Sequence, residues 1–283
     1  MKKISQILCA AAVIAIFCAC GNKNKFTING TVDMPELLGK TVYLFGNGDE
    51  PVDSTVITDG QFSFHGTVDE AWMALIGCPE SPFIVTAVIE PGTIVIKNDS
   101  IGGTPLNDDL QVFSTACADD ELDEQMHTYI EQYYMAKDTK ERAEAEHKYD
   151  SLEAISVTRL FDNATILYND HRNDILGAYA MEALCSTDRM TYAQLAEMLS
   201  DASDVVKNNV VVSSKLAQLK AVEETAAGKH YTDIQGIDGK LSDLIDGKLA
   251  LVDFYASWHS WLSACHATCG VTLWTIASPT CMA

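Results

Sequence analysis

The sequence predicts an α+β multidomain chain, with an N-terminal antiparallel β-sandwich, a helical middle segment and an α/β C-terminal segment. Up to about Pro105, short runs of β-branched and aromatic residues alternate with Gly, Pro and Asn turns. From Asn107 to about Ala227, apolar residues recur three and four apart. After Gly228 the run Leu249–Tyr255 is apolar but for Asp253, the pattern of a strand buried on both faces.

Met1-Lys2-Lys3 is a short cationic start, followed by the uncharged run from Ile7 to Phe17. A spanning helix needs about 20 apolar residues, so this shorter run reads as the apolar centre of a signal peptide over residues 1–19, removed on export. Ala19-Cys20 resembles a lipobox, although Phe17 and Cys18 are unusual there. Lipidation is therefore expected at Cys20, with residues 20–25 as the linker from the anchor and an ordinary secretory cut leaving a free Cys20 thiol as the alternative. More than one acyl chain, each worth about 0.8 kcal/mol per buried CH₂, makes a stable anchor. The expected place is the periplasm or cell envelope, lipid-anchored to the inner or outer membrane.

The chain holds 19 Lys+Arg against 40 Asp+Glu, and losing Lys2 and Lys3 with the leader takes the net charge from −21 to −23. Such a body repels phosphates, which argues against nucleic acid as a partner and against adhesion of the protein surface to anionic lipid. Of nine cysteines, Cys9 and Cys18 leave with the leader and Cys20 takes the lipid. Export places the other six in an oxidising space. Cys78, Cys117 and Cys185 stand singly in apolar contexts and read as small buried hydrophobes, whereas Cys265, Cys269 and Cys281 crowd the C-terminal end.

Residues 26–105 form the first domain, with strands expected at 26–32, 41–45, 54–57, 61–66, 83–89 and 93–96. Asp59-Gly60 is a hairpin signal, because a type I′ turn needs positive φ at both central positions. His65 is a lone histidine on a strand and reads as structural.

Residues 106–227 form the helical region. Leu110, Phe113 and Cys117 make one stripe, Tyr129, Tyr133 and Tyr134 another, read as core, and Leu152, Ile155, Leu160, Ile166 and Leu167 a third. Asp138 or Thr139 is the expected N-cap of that third helix, with Glu141 near its positive end. Further helices are expected at 175–185, 192–199, with Thr191 as cap, and 214–226.

Ala250-Leu251-Val252-Asp253-Phe254-Tyr255-Ala256-Ser257-Trp258, preceded by Asp238-Gly239-Lys240, resembles the lipid-anchored, periplasmic thioredoxin-like proteins of the TlpA/ResA type, related to the AhpC/TSA superfamily. Upstream, Ile28-Asn29-Gly30, Asp59-Gly60-Gln61-Phe62, Glu90-Pro91-Gly92 and Gly103-Thr104-Pro105-Leu106-Asn107 are similar to the β-rich domain of unknown function that commonly precedes thioredoxin-like domains, and Asn173–Tyr179 fits the helical insert. The resemblance implies a thiol-disulfide oxidoreductase without a bound cofactor, acting on disulfide-containing proteins of the periplasm.

The pattern breaks after Trp258. Where the family places Cys-x-x-Cys, this chain has His259-Ser260-Trp261-Leu262, so His259 and Leu262 occupy the two thiol positions. That chemistry needs one acidified thiolate at a helix N-terminus and a second thiol to release the mixed disulfide. Residues 228–283 are thus expected to be an incomplete thioredoxin-like α/β domain. Its tail from Ser263, rich in Cys, Trp, Thr and Ala and free of Asp, Glu, Lys and Arg, reads as a frameshift or truncation, with genuine divergence as the alternative.

Cys265 and Cys269 are candidate redox residues of that tail, as a disulfide or as unpaired thiols. No metal is expected, because a zinc site would want a second ligand pair. Two functions follow. One is an oxidoreductase by descent that is inactive in this copy. The other is a non-enzymatic, lipid-anchored binding or scaffold protein of the cell envelope.

Overall fold

The computed structural model describes residues 24–48, 50–79, 81–230, 233, 235–236, 239–245, 252–253 and 274–275. Residues 1–19, expected to be a signal peptide, Cys20 and the segment from Phe254 to Leu273 lie outside the described residues. The chain divides into two compact units, Met1–Ala217 and Gln218–Ala283.

The first unit opens with eight strands: β1 (Lys25–Thr31), β2 (Thr41–Phe45), β3 (Pro51–Val56), β4 (Gln61–Thr67), β5 (Trp72–Gly77), β6 (Ile84–Ile89), β7 (Gly92–Lys97) and β8 (Ser100–Gly102). They make two four-stranded sheets, ordered β4-β1-β7-β8 and β3-β2-β5-β6. Neighbours are antiparallel except β1 and β7, which run parallel with Ile28 beside Ile94. A parallel pair needs a long crossover, and the whole second sheet is built in that interval.

Alternation along each strand sends one set of side chains between the sheets. Ile28, Phe64, Ile94 and Ile96 from one sheet share a single core with Val42, Leu44, Ile76 and Ile89 from the other. Each such burial contributes about 1.5–3 kcal/mol. Gly30 faces Phe62 across β1 and β4, and a Cβ there would lie 2.0 Å from the ring, so only glycine admits the aromatic.

Asp59 (φ 51°) and Gly60 (φ 73°) form the expected turn, closed by paired bonds of 2.9 Å between Thr58 and Gln61. The two flanking strands nonetheless separate, β3 joining one sheet and β4 the other. The turn is a corner of the sandwich. Strand β5, with Met, Ala and Leu in place of β-branched residues, was not expected from its composition, and it forms because β2 and β6 pair with it on both sides.

Seven helices follow: α1 (Pro105–Cys117), α2 (Asp120–Met135), α3 (Thr139–Asp170), α4 (Ile175–Ser186), α5 (Tyr192–Leu199), α6 (Asp204–Lys207) and α7 (Val210–Glu224), the last crossing into the second unit. Asp138 caps α3 by accepting from the amides of Lys140 and Glu141, and Thr191 with Gln194 forms a reciprocal capping box on α5. The helix expected from Ser214 begins at Val210 instead, where the Asn209 side chain accepts from Val211 and Val212 N–H. Two expected core stripes are corrected. Tyr134 is 79 % exposed and Tyr129 and Tyr133 only half-buried, while Ile155 and Ile166 on α3 face solvent. The buried positions near the end of α3 are Ala164, Leu167 and Tyr168, the i, i+3, i+4 set that meets neighbouring helices.

Helix α1 joins the sandwich through several polar side chains, of which Asn107 is fully buried. Asn107 donates to the Val88 carbonyl (2.7 Å) and accepts from the Val88 amide (2.8 Å), and it also donates to Thr104 Oγ1. Glu90 Oε1 accepts from Leu106 N–H, Asp108 Oδ1 from Gly103 N–H, and Gln111 Oε1 from Ile101 N–H.

In the second unit, Gln235–Gly236 (β9) pairs antiparallel with Gly239–Lys240 (β10), and helix α8 (Leu241–Ile245) has its Ser242 bound to Asp233. Val252–Asp253 (β11), within the expected buried strand, pairs in parallel with Trp274–Thr275 (β12). Among the described residues no helix is long and apolar enough to cross a membrane.

Asn107→Ala strands two buried backbone groups of Val88 and should destabilise the first unit by about 3 kcal/mol in urea unfolding. A pH effect follows at the start of α2, where Asp119 accepts from Leu122 N–H and pairs with Arg159 of α3. The cap bond and then the guanidinium hold this carboxyl below its ordinary value of 3.8. Its stabilisation is therefore full above about pH 4 and is lost as pH falls through the lower folded-state value. Asp119→Asn should lower stability at pH 7, by a deficit that narrows as pH falls below about 4, as read by denaturant midpoints.

Candidate functional site

Five residues singled out by the sequence, Cys20, His259, Leu262, Cys265 and Cys269, lie outside the described residues. Cys78 and Cys185 are 4 % exposed, as small core residues, whereas Cys117 is only half-buried. Burial raises the Cys117 thiol pKa, against a smaller opposing effect of Arg159. The Cys185 thiol is pushed up to about 11 by burial, with Lys215 opposing and Glu182 adding to it. A working redox thiol needs the opposite shift. His65 lies between Thr27 Oγ1 and Ser63 Oγ, each 3.3 Å from a ring nitrogen, and so links β1 to β4. Among the described residues no group of three His, Cys, Asp or Glu side chains is placed to hold a metal ion.

What the fold does build is a cleft between α1 and α3. Asp109, Val112, Phe113 and Ala116 line it from α1, while Asn163, Ile166, Leu167 and Asp170 line it from α3. Both sets follow the i, i+3, i+4, i+7 rule, so one stripe of each helix faces a shared space of about 100 Å³. Phe113 (8 % exposed) and Leu167 (6 %) make the floor. Phe113 is held from below by Tyr179 of α4, edge to face at 6.0 Å. On the lips, Val112 is 69 % and Ile166 60 % exposed.

His171 closes one end. Its Nδ1 lies 2.8 Å from Asp174 Oδ2 and its Nε2 3.3 Å from Asp109 Oδ2, with the ring side chain 11 % exposed. Asp174 also caps α4 by accepting from Leu176 and Gly177 N–H. One imidazole thus ties the C-cap of α3 to the second turn of α1 and the N-cap of α4. The turn is tight: a Cβ on Gly177 would lie 1.9 Å from the His171 carbonyl oxygen. Both ring nitrogens of His171 are engaged by carboxylates of the fold. The cleft thus combines apolar walls with carboxylates and an imidazole at one end.

Sequence reasoning placed Ile166 in a core stripe and did not single out Asp109, Val112, Asp170 or His171. The signal was present in the four-residue ladder on each helix. That the two ladders face each other depends on how α1 and α3 pack.

Residues 26–110 match the family described as "Domain of unknown function (DUF4369)". The match covers both sheets and the first turn of α1 with Asn107, and it bears out the N-terminal part of the resemblance. No curated protein and no solved structure matches the chain.

Alkylation of the native protein at pH 8, mapped by mass spectrometry, should leave the Cys78 and Cys185 peptides unmodified over times that label Cys117 in part. Unfolding in urea should expose all three.

Proposed function

We propose that this chain is an exported protein of the thioredoxin-like thiol-disulfide oxidoreductase family, anchored to the cell envelope by lipid on Cys20, which binds partners and does not turn over disulfides. The carrying observation is the substitution of both thiol positions after the strand motif, by His259 and Leu262. The match of residues 26–110 to the domain of unknown function supports the family reading, since the resemblance has that domain preceding thioredoxin-like domains. The raised thiol pKa values of Cys117 and Cys185 support the loss of activity, because neither thiol is fit to replace the missing nucleophile. A binding role is further supported by the cleft between α1 and α3, where Val112 and Ile166 offer exposed apolar surface beside a floor of Phe113 and Leu167. Under the competing enzymatic reading, the protein exchanges disulfides with periplasmic partners through Cys265 or Cys269.

Two measurements test this reading. Cys20→Ala should move the protein from the membrane to the soluble envelope fraction, and wild type should carry acyl mass on Cys20. The purified chain should reduce insulin disulfides with dithiothreitol no faster than dithiothreitol alone. Turnover that disappears in Cys265→Ser or Cys269→Ser would establish the enzymatic reading instead.

A further inference from the structure

We propose that the groove between α1 and α3 docks a basic, amphipathic helical segment of a partner protein. The inference rests on the binding role above and gives it a site and a partner chemistry. The groove has the form that receives a helix. Each wall presents one i, i+3, i+4, i+7 ladder, and seven residues span about 10 Å of helix axis, or two turns of a guest. The floor is closed by Phe113 and Leu167, while Val112 and Ile166 stand exposed on opposite lips. A third helix laid along the seam would cover both lips with one apolar stripe.

Charge decides which helix. Asp109 and Asp170 stand at the His171 end of the groove, and no Lys or Arg is among its lining residues. Of the two walls, α1 carries Asp108 and Asp109 and no Lys or Arg, and the lining stretch of α3 from Asn163 to Asp170 adds Asp170 and no Lys or Arg. A guest with Lys or Arg beside its apolar stripe meets a complementary field there, and an acidic guest is repelled. A second copy of this chain brings the same net charge of −21 and is disfavoured, as is an anionic lipid surface.

The test uses the full chain in detergent and a fluorescent 18-residue peptide with Leu at i, i+3, i+4, i+7 spacing and Lys elsewhere. Anisotropy should show saturable binding that weakens with salt. A Glu-for-Lys peptide and a scrambled peptide of the same composition should bind at least about tenfold more weakly. Val112→Ser with Ile166→Ser should weaken the Lys peptide by about tenfold, and Asp170→Asn by about threefold at low salt with a flatter salt dependence. All three positions are exposed, and Val112→Ser alone provides the test if the double variant unfolds.

Equal binding of the scrambled peptide, or binding unchanged by Val112→Ser, would overturn the proposal. So would self-association in sedimentation that the same substitutions abolish, since the occupant would then be a second copy. Peptide binding by a chain that also turns over insulin disulfides would leave this site standing and defeat the non-enzymatic reading. Absence of peptide binding in a chain without turnover would defeat the site alone.

Discussion

Asn107 takes the place of a fifth strand at the open edge of β6, donating to and accepting from the Val88 backbone as a neighbouring strand would. An unpaired sheet edge is a template for unwanted pairing, and this side chain blunts it over one residue pair. Because a buried amide is costly unless its bonds are made, the contact holds in one register only. Glu90, Asp108 and Gln111 tie the adjacent amides of Leu106, Gly103 and Ile101, so the start of α1 is held on the sandwich at four points. Everything beyond inherits that placement: Asp109 reaches His171, Phe113 meets Tyr179, and α1 becomes one wall of the groove.

The groups that would look chemical in isolation are thus largely occupied with structure. His171 is shared between two carboxylates, His65 between two hydroxyls, and the described thiols are raised by burial or enclosed in the core. Apolar surface has the opposite fate, with Val112 and Ile166 left uncovered beside a closed floor.

Local features of this fold were legible in the sequence because their hydrogen bonds close within a few residues. The Asp59-Gly60 turn, the Asp138 cap of α3 and the Thr191 box on α5 each depend on one side chain and the next three amides. The β-rich character of residues 26–105 was legible for a related reason, since alternation and turn residues are themselves local. The motifs around Glu90 and Gly103-Asn107 were also visible as sequence, but not as partners across the α1 junction.

By itself, then, the sequence determined the α+β order of the first unit, most of its strands and helices and their caps, and its acidic charge. Tertiary structure alone decided that β3 and β4 part at their turn, that β1 runs parallel to β7, and that Trp72–Gly77 becomes a central strand. It also decided that Ile166 and Tyr134 are exposed while Tyr168 is buried. The physical reason is common to all of these. Burial and strand pairing are properties of two segments distant in sequence, fixed only when their surfaces meet, so no periodicity within one segment contains them.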